Sequence, residues 1–573
     1  MIRALSLSIV LMLAAAAPAA AREVVVRSFD GTALAMTFHP AAGLKPGKRA
    51  PTILQTHGWA GKRERSPDAA GNVATGNVGP GPLRRAGFNV LTWDSRGFGE
   101  SGGTVQVDHK DFEGRDVKAL VNWLAKQPEA RLDGRGDPRV GMHGGSYAGG
   151  IQLVAAAIDR RIDAIAPSIA WHSLTTALYR EQTIKGGWSA LLYAAGQTGR
   201  LDSHITSAFA SGAAGGKLSA ADRAWFESRG PGDALVSRIR VPTLLLQGTP
   251  DTLFATTEAI RNYELFRRHR VPVKMMWFCG GHGTCLTGTG PAGHFEARVI
   301  AWLERHVAGQ RVATGPGFEW LADDAKWRSA LRWPPRRGTA VLASGSGTLA
   351  VSPLDAVSGT PLAAGIAANA VNVAVPRRKA QVVGEPRLRL TYSGTGTATH
   401  VFAQIADDRR GVVLGNQVTP LPVTLDGATH TVTRRLEGVA ASMAAGSRYR
   451  LQLVGGSQVY GPVRGVGSVR FSGVRLELPT AVPGTALLPA ARRCKSRRRF
   501  AIRVKRTGHA RLRSAKVWVA GERVRVRRRH GRLTAVVDLR GMTRRKVTVR
   551  IVARTKHGRV LRDRRVYRLC AGA

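Results

Sequence analysis

Apolar positions along this chain follow two rhythms. In "FEGRDVKALVNWLAKQ", Val117, Leu120, Val121 and Leu124 recur at three- and four-residue intervals and so share one helix face. "GIQLVAAAI", "TTEAIRNYELFRRH" and "HFEARVIAWLERHV" read as helices too. Between them lie short apolar runs, "APTILQT", "GFNVLTW", "RVGMH", "VPTLLLQ" and "VPVKMMWF", which predict strands. Residues 23–40, "EVVVRSFDGTALAMTFHP", predict two strands around an Asp30-Gly31 turn. Strands alternating with helices predict a mostly parallel sheet with helices on both faces.

The alternation stops in two places. Residues 170–234 carry apolar, helix-like segments with no strand between them, where an α/β enzyme can hold a cap over its site. From residue 317 to 480, short β-like runs separated by Gly, Pro and Ser predict a sandwich or jelly roll. "PTAVPGTALLPA" marks a linker, taken as 481–490. Residues 491–573 are β-like again, and in "RVRVR" Arg523, Arg525 and Arg527 alternate with valines, which places them on one strand face. A chain of 573 residues has room for these parts: an α/β domain over 22–316, a β domain over 317–480 and a small basic domain.

Charge sharpens the division. Of a net +48, the last segment carries thirty Lys and Arg against Glu522, Asp538 and Asp563 alone. Such an imbalance points to an anionic partner, with a solvated arginine-rich surface as the plainer alternative. The N-terminus, "MIRALSLSIVLMLAAAAPAAAR", has Arg3, an apolar run and a small-residue site at Ala19-Ala20-Ala21. It reads as a signal peptide over 1–21, with an uncleaved anchor as the alternative. Export to the medium or cell envelope follows, with no membrane span left after cleavage. In an oxidising compartment the four cysteines, Cys279, Cys285, Cys494 and Cys570, suggest two disulfides, 279–285 and 494–570 by neighbourhood. Export and a shortage of aromatics for base stacking argue against nucleic acid as the partner.

Candidate chemistry begins at "HGGSYAGG". Ser146 falls between a predicted strand and a predicted helix, with Gly144 two before it and Ala148 two after. A nucleophile elbow needs small residues there, because strand and helix backbones come close at the strained turn. Ala148 departs from the strict G-x-S-x-G pattern but is still small. In this fold the partners follow in the order acid, then histidine. Asp251 in "QGTPDTLF" and His282 in "CGGHGTC" each come just after a strand, where carboxyl ends deliver site residues. Asp233 and His294 are the rivals; the first precedes its strand and the second opens a helix. The backbone N–H of Tyr147, with that of Trp59 in "QTHGWAG", would form the oxyanion hole. Cys279, His282 and Cys285 also have the makings of a zinc set. No fourth ligand is suggested, so the histidine is read as a base within a disulfide clasp, without metal or cofactor. Gly97, Gly99 and Gly102 spell G-x-G-x-x-G, but no helix starts after them, so nucleotide binding is set aside.

Ser146 in "GGSYAGG", "DSRGFGESGG" at 94–103, Asp251 and His282 together resemble the Xaa-Pro dipeptidyl-peptidase-like α/β-hydrolases, a group with cocaine-esterase-like (CocE/NonD) and α-amino acid ester hydrolase members. The resemblance spans about 23–480, "VFAQIADDRRGVVLG" and "VRLELP" included, and stops before the basic segment. It implies an α/β-hydrolase domain followed by a jelly roll. It also implies a metal-independent serine hydrolase that cleaves a small ester or a short peptide or amide through an acyl-enzyme. The reading from another class is a catalytically vestigial hydrolase that binds an anionic cell-envelope polymer through its basic end.

Overall fold

The computed structural model describes residues 20–354, 357–482, 499–504, 512–529, 532–539 and 546–568. Cys494, Cys570, most of the expected linker and nearly all of the expected signal peptide lie outside the described residues. The chain divides into two compact units, 1–486 and 487–573.

A ten-stranded sheet organises the first unit. Its strands are β1 (Arg22–Arg27), β2 (Ala33–His39), β3 (Thr52–Thr56), β4 (Asn89–Trp93), β5 (Val140–Gly145), β6 (Ile162–Ser168), β7 (Thr243–Gly248), β8 (Val273–Phe278), β9 (Phe318–Leu321) and β10 (Trp327–Ala330). Their order is β1-β2-β4-β3-β5-β6-β7-β8-β9-β10. From β4 to β9 all neighbours run parallel, while β1, β2 and β10 are antiparallel additions. The helices are α1 (Pro80–Arg85), α2 (Glu113–Leu124), α3 (Tyr147–Ile158), α4 (Leu174–Leu178), α5 (Gly186–Gly196), α6 (Ser203–Gly215), α7 (Ala220–Glu227), α8 (Gly232–Val236), α9 (Thr256–Arg268) and α10 (His294–His306). The predicted apolar stripe of α2 is buried, and its residues join one core with Leu54, Leu91 and Met142 of the sheet. α4 to α8 follow one another between β6 and β7. This is an α/β-hydrolase fold.

The expected start of the β-rich part at 317 needs correction. Phe318–Leu321 extends the large sheet beside β8, and Trp327–Ala330 pairs with it. Alternation in "FEWL" identifies a strand but not its partner. The partner is chosen by aromatic packing, with Phe318 edge-on to Trp277 and stacked on Trp320.

The β-rich part then forms a sandwich. One sheet orders Val341–Val351, Gly467–Leu478, Arg387–Gly396 and His430–Arg435; another orders Val371–Ala374, Tyr449–Val454, His400–Asp407 and Val412–Pro422. Leu349, Leu390, Val401, Leu451, Leu453 and Phe471 are buried in its core. Its surface also merges with the α/β part, since Phe402, Val418 and Tyr460 share a cluster with Tyr147, Trp171 and Trp188.

The second unit has two small sheets around Val517, Val519, Val537, Val549 and Ile551. "RVRVR" is not one strand. It breaks at Arg525, where the chain leaves the sheet holding Glu522–Val524 for the sheet holding Val526–Arg529. The three arginines are exposed and the two valines half-buried, so the alternation survives the break. No helix among the described residues is long and apolar enough to cross a membrane.

Candidate active site

β5 delivers the serine. Ser146 sits between β5 and α3 with φ 60° and ψ −122°, a conformation that side-chain-bearing residues seldom adopt and that costs energy. The glycines around it are steric necessities. A Cβ on Gly144 would lie 2.8 Å from that of Ala148, and one on Gly149 would lie 2.6 Å from the Ser168 carbonyl. Ala148 is therefore accommodated because residue 144 has no side chain. Tyr147 opens α3, and its N–H has no acceptor within the helix by position.

His282 lies after β8 and Asp251 after β7. Ser146 Oγ is 2.7 Å from His282 Nε2, and His282 Nδ1 is 2.8 Å from Asp251 Oδ2. The Asp251 carboxylate is fully buried, and its other oxygen accepts the N–H groups of Leu253 (3.0 Å) and Phe254 (2.8 Å). Carboxylate-bound Nδ1 keeps its proton, which leaves Nε2 free to accept one from the serine. Trp188 and Phe254 stand edge-on to the imidazole. Gly281 and Gly283 have no space for a side chain: Cβ atoms there would meet Asp251 Oδ2 at 2.6 Å and the Pro250 carbonyl at 1.7 Å.

Cys279 and Cys285 form a disulfide, with Cα atoms 5.3 Å apart. Both sulfurs are spent in that bond and both imidazole nitrogens have partners, so the run offers no donor set for zinc. The rival residues lie elsewhere. Asp233 pairs with Arg261 and His172, and His294 with Glu319. The G-x-G-x-x-G loop wraps a buried carboxylate, since a Cβ on Gly99 would meet Asp94, whose Oδ2 accepts from Glu100 N.

His57 accepts from Ser95 N through Nε2, and its Nδ1 is 2.7 Å from the Gly58 carbonyl. Burial lowers its pKa, so it is a neutral brace for the loop that carries Trp59. Trp59 Nε1 donates to the Leu192 carbonyl at 2.8 Å, tying this loop to α5. Two cavities meet at Ser146, Trp59 and Leu192, an inner one of about 110 Å³ and an outer one of about 620 Å³.

Sequence reasoning missed the groups that hold the acid's loop. Lys185, at the start of α5 and buried, donates to the carbonyls of Thr252 and Leu253, both at 2.9 Å. Gln417, from the sandwich, donates to those of Thr249 (2.8 Å) and Asp251 (2.9 Å). Asn416 donates to that of Thr284 at 2.7 Å, beside the disulfide. A lone Lys or Gln far along the chain carries no local pattern that could announce such contacts.

With this geometry in place, comparison with known proteins adds the relationship. Residues 30–284 match the X-Pro dipeptidyl-peptidase (S15) family. The S15 match takes in Ser146, Asp251 and His282, and it bears out the resemblance read from the sequence. Among solved structures, an α-amino acid ester hydrolase superposes with a TM-score of 0.60 at 14% identity, over 80% of this chain and 96% of that one. An aminopeptidase from a marine-sediment Thaumarchaeota archaeon gives 0.60 at 13%, over 83% and 99%. A CocE/NonD family hydrolase from Staphylococcus aureus gives 0.54 at 14%, over 81% and 97%. Identities this low establish a shared fold of α/β-hydrolase and sandwich. An uncharacterized 31.7 kDa protein of the traX-finO intergenic region of Escherichia coli is 31% identical over 138 residues, 24% of this chain and 42% of that protein.

Proposed function

We propose that the protein is an exported serine hydrolase that cleaves an ester, or a short peptide-like amide, through an acyl-enzyme. The Asp251–His282–Ser146 hydrogen-bonded chain carries this reading. His282 takes the Ser146 proton as Oγ attacks the substrate carbonyl. The N–H groups of Tyr147 and Trp59 receive the oxyanion, and His282 returns the proton to the leaving group. Water, activated by the same imidazole, then frees the acid. Asp251 stays ionised and stabilises the imidazolium. The test is labelling with a fluorophosphonate. Wild-type protein is expected to label and Ser146→Ala to remain unlabelled; an unlabelled wild type would refute the reading in favour of a non-catalytic binding protein. Asp251→Asn is expected to lower kcat by about 10³–10⁴, whereas Asp233→Asn should leave it unchanged.

The second unit supports a further role in retention on an anionic cell-envelope polymer. Lys516, Arg550, Arg554, Arg562 and Arg564 are exposed on one face of its four-stranded sheet, and the Arg550 guanidinium lies 4.7 Å from the Trp518 ring centroid. Retention on isolated cell walls should fall steeply with salt and be weakened by combined Arg550→Ser, Arg562→Ser and Arg564→Ser. Salt-independent retention would exclude it. Mature protein beginning at Arg22 would establish export.

A further inference from the structure

The two cavities at Ser146 differ in chemistry, and the difference assigns the two ends of a substrate. The inner cavity is walled by Trp171, Leu174, Ile205, Phe209, Phe226 and Phe254, from the loop after β6, the cap helices and the loop after β7. Among the described residues, its polar lining consists of hydroxyls, phenols and the indoles of Trp59 and Trp171, with no Asp, Glu, Lys, Arg or His. The outer cavity is bordered by His282, Asn77, Thr56 and Trp188, and among the described residues it too lacks a carboxylate. His282 borders the outer cavity and not the inner one. The imidazole must reach the leaving-group oxygen to protonate it, so the leaving group belongs outside and the acyl group inside.

We infer that the site takes esters of uncharged, apolar carboxylic acids, holding the acyl chain in the inner cavity and the alcohol in the outer one. The inference rests on the serine-hydrolase reading. The Oγ–acyl bond forms as the ester C–O bond breaks, and the alcohol leaves with the proton from His282. Water then cleaves the acyl-enzyme and the acid departs. A substrate with a free α-ammonium beside its carbonyl would place that charge among aromatic and aliphatic walls without a counter-ion. Two carboxyls do lie near, but neither lines either of these two cavities. Glu113 is behind Tyr147, whose Oη lies 3.3 Å from it, and it is occupied by the N–H groups of Gln106 and His109. Asp108 is fully buried, with Oδ2 packed near Trp171 at the Cα of Gly150.

Methyl phenylacetate and methyl phenylglycinate differ by a single α-amino group and make the test. At pH 6, with each rate normalised to its own hydroxide-catalysed hydrolysis, kcat/KM should favour phenylacetate by about 100-fold or more. 4-Nitrophenyl hexanoate should likewise be preferred over the acetate. Ala208, buried on α6, lines the inner cavity, so Ala208→Phe should lower the hexanoate-to-acetate ratio about tenfold or more by filling it. A preference for phenylglycinate, or for Ala-Pro 4-nitroanilide, in protein that labels with fluorophosphonate would overturn the substrate class and leave the serine mechanism standing. Absence of labelling would overturn the mechanism instead.

Discussion

Behind Tyr147, the neighbour of the strained Ser146, lies a group whose protonation the fold has changed. Glu113 is 3% exposed although it opens α2, a position where an acidic side chain normally meets both solvent and the positive helix end. Burial raises its pKa from 4.5 to about 7. The folded chain therefore holds this proton more tightly than the unfolded chain. The resulting stabilisation is complete below about pH 4.5 and is lost as pH rises through about 7, a change on the order of 3 kcal/mol. Asp108, also pushed up by burial, acts in the same direction. Urea unfolding of the wild type should show lower stability at pH 8 than at pH 5.5. Glu113→Gln, which keeps the shape and one acceptor, should remove most of that slope; an unchanged slope would show that Glu113 is not its source. The sequence exposed the hydrogen-bonded set of Ser146, His282 and Asp251 because each stands just past a strand, in a recognisable local pattern. It hid Glu113 because an acid in the first turn of a helix looks the same whether solvent or Tyr147 covers it.

At the level of elements, legibility follows how local the constraint is. The β5–α3 elbow could be read from "GGSYAGG" because Gly144 and Ala148 answer each other within the turn and Gly149 answers the adjoining strand at Ser168. The β9–β10 pair could not, because its place beside β8 depends on aromatic partners scattered from Trp277 to Trp333. The loop after β8 is an intermediate case. Its cysteines suggested a clasp, and the disulfide closes a short loop with the His282 imidazole at its centre. Loop-closure entropy allows that bond about 2 kcal/mol at most, little for a unit of this size. Its larger effect should be on aim. Replacing both Cys279 and Cys285 by Ser is expected to lower kcat several-fold while KM changes little, with only a small fall in thermal midpoint. Unaltered kcat at 25 °C would mean that Gly281, Gly283 and the Asp251 contacts hold His282 without the clasp.

Across the whole first unit, the sandwich acts as a buttress for Asp251, the proposed catalytic acid. The segment 249–254 turns sharply, so its carbonyls point away from any strand and need donors from elsewhere. Lys185 supplies two hydrogen bonds from the cap and Gln417 two from the sandwich, and Gln417 is buried. Nothing in the sequence could pair residue 417 with residue 251, because the contact joins segments far apart in the chain that meet only where the sandwich packs on the α/β part. Gln417→Ala would leave the Thr249 and Asp251 carbonyls without these donors, a cost of about 1–3 kcal/mol. We expect that strain to be relieved by a shift of the Asp251 loop, lengthening its bond to His282. The predicted signature is a kcat reduced about tenfold or more with KM nearly constant, because the inner and outer cavities do not include Gln417. The pH–rate profile should move as well, since an imidazolium less well supported by Asp251 forms less readily and the acidic limb shifts to lower pH. A variant that merely loosened the sandwich would lower thermal stability and leave that limb in place. Measuring kcat, KM and the acidic limb together thus separates positioning of Asp251 from simple support of the fold, and an unshifted limb with unchanged kcat would end the claim that the sandwich positions the acid.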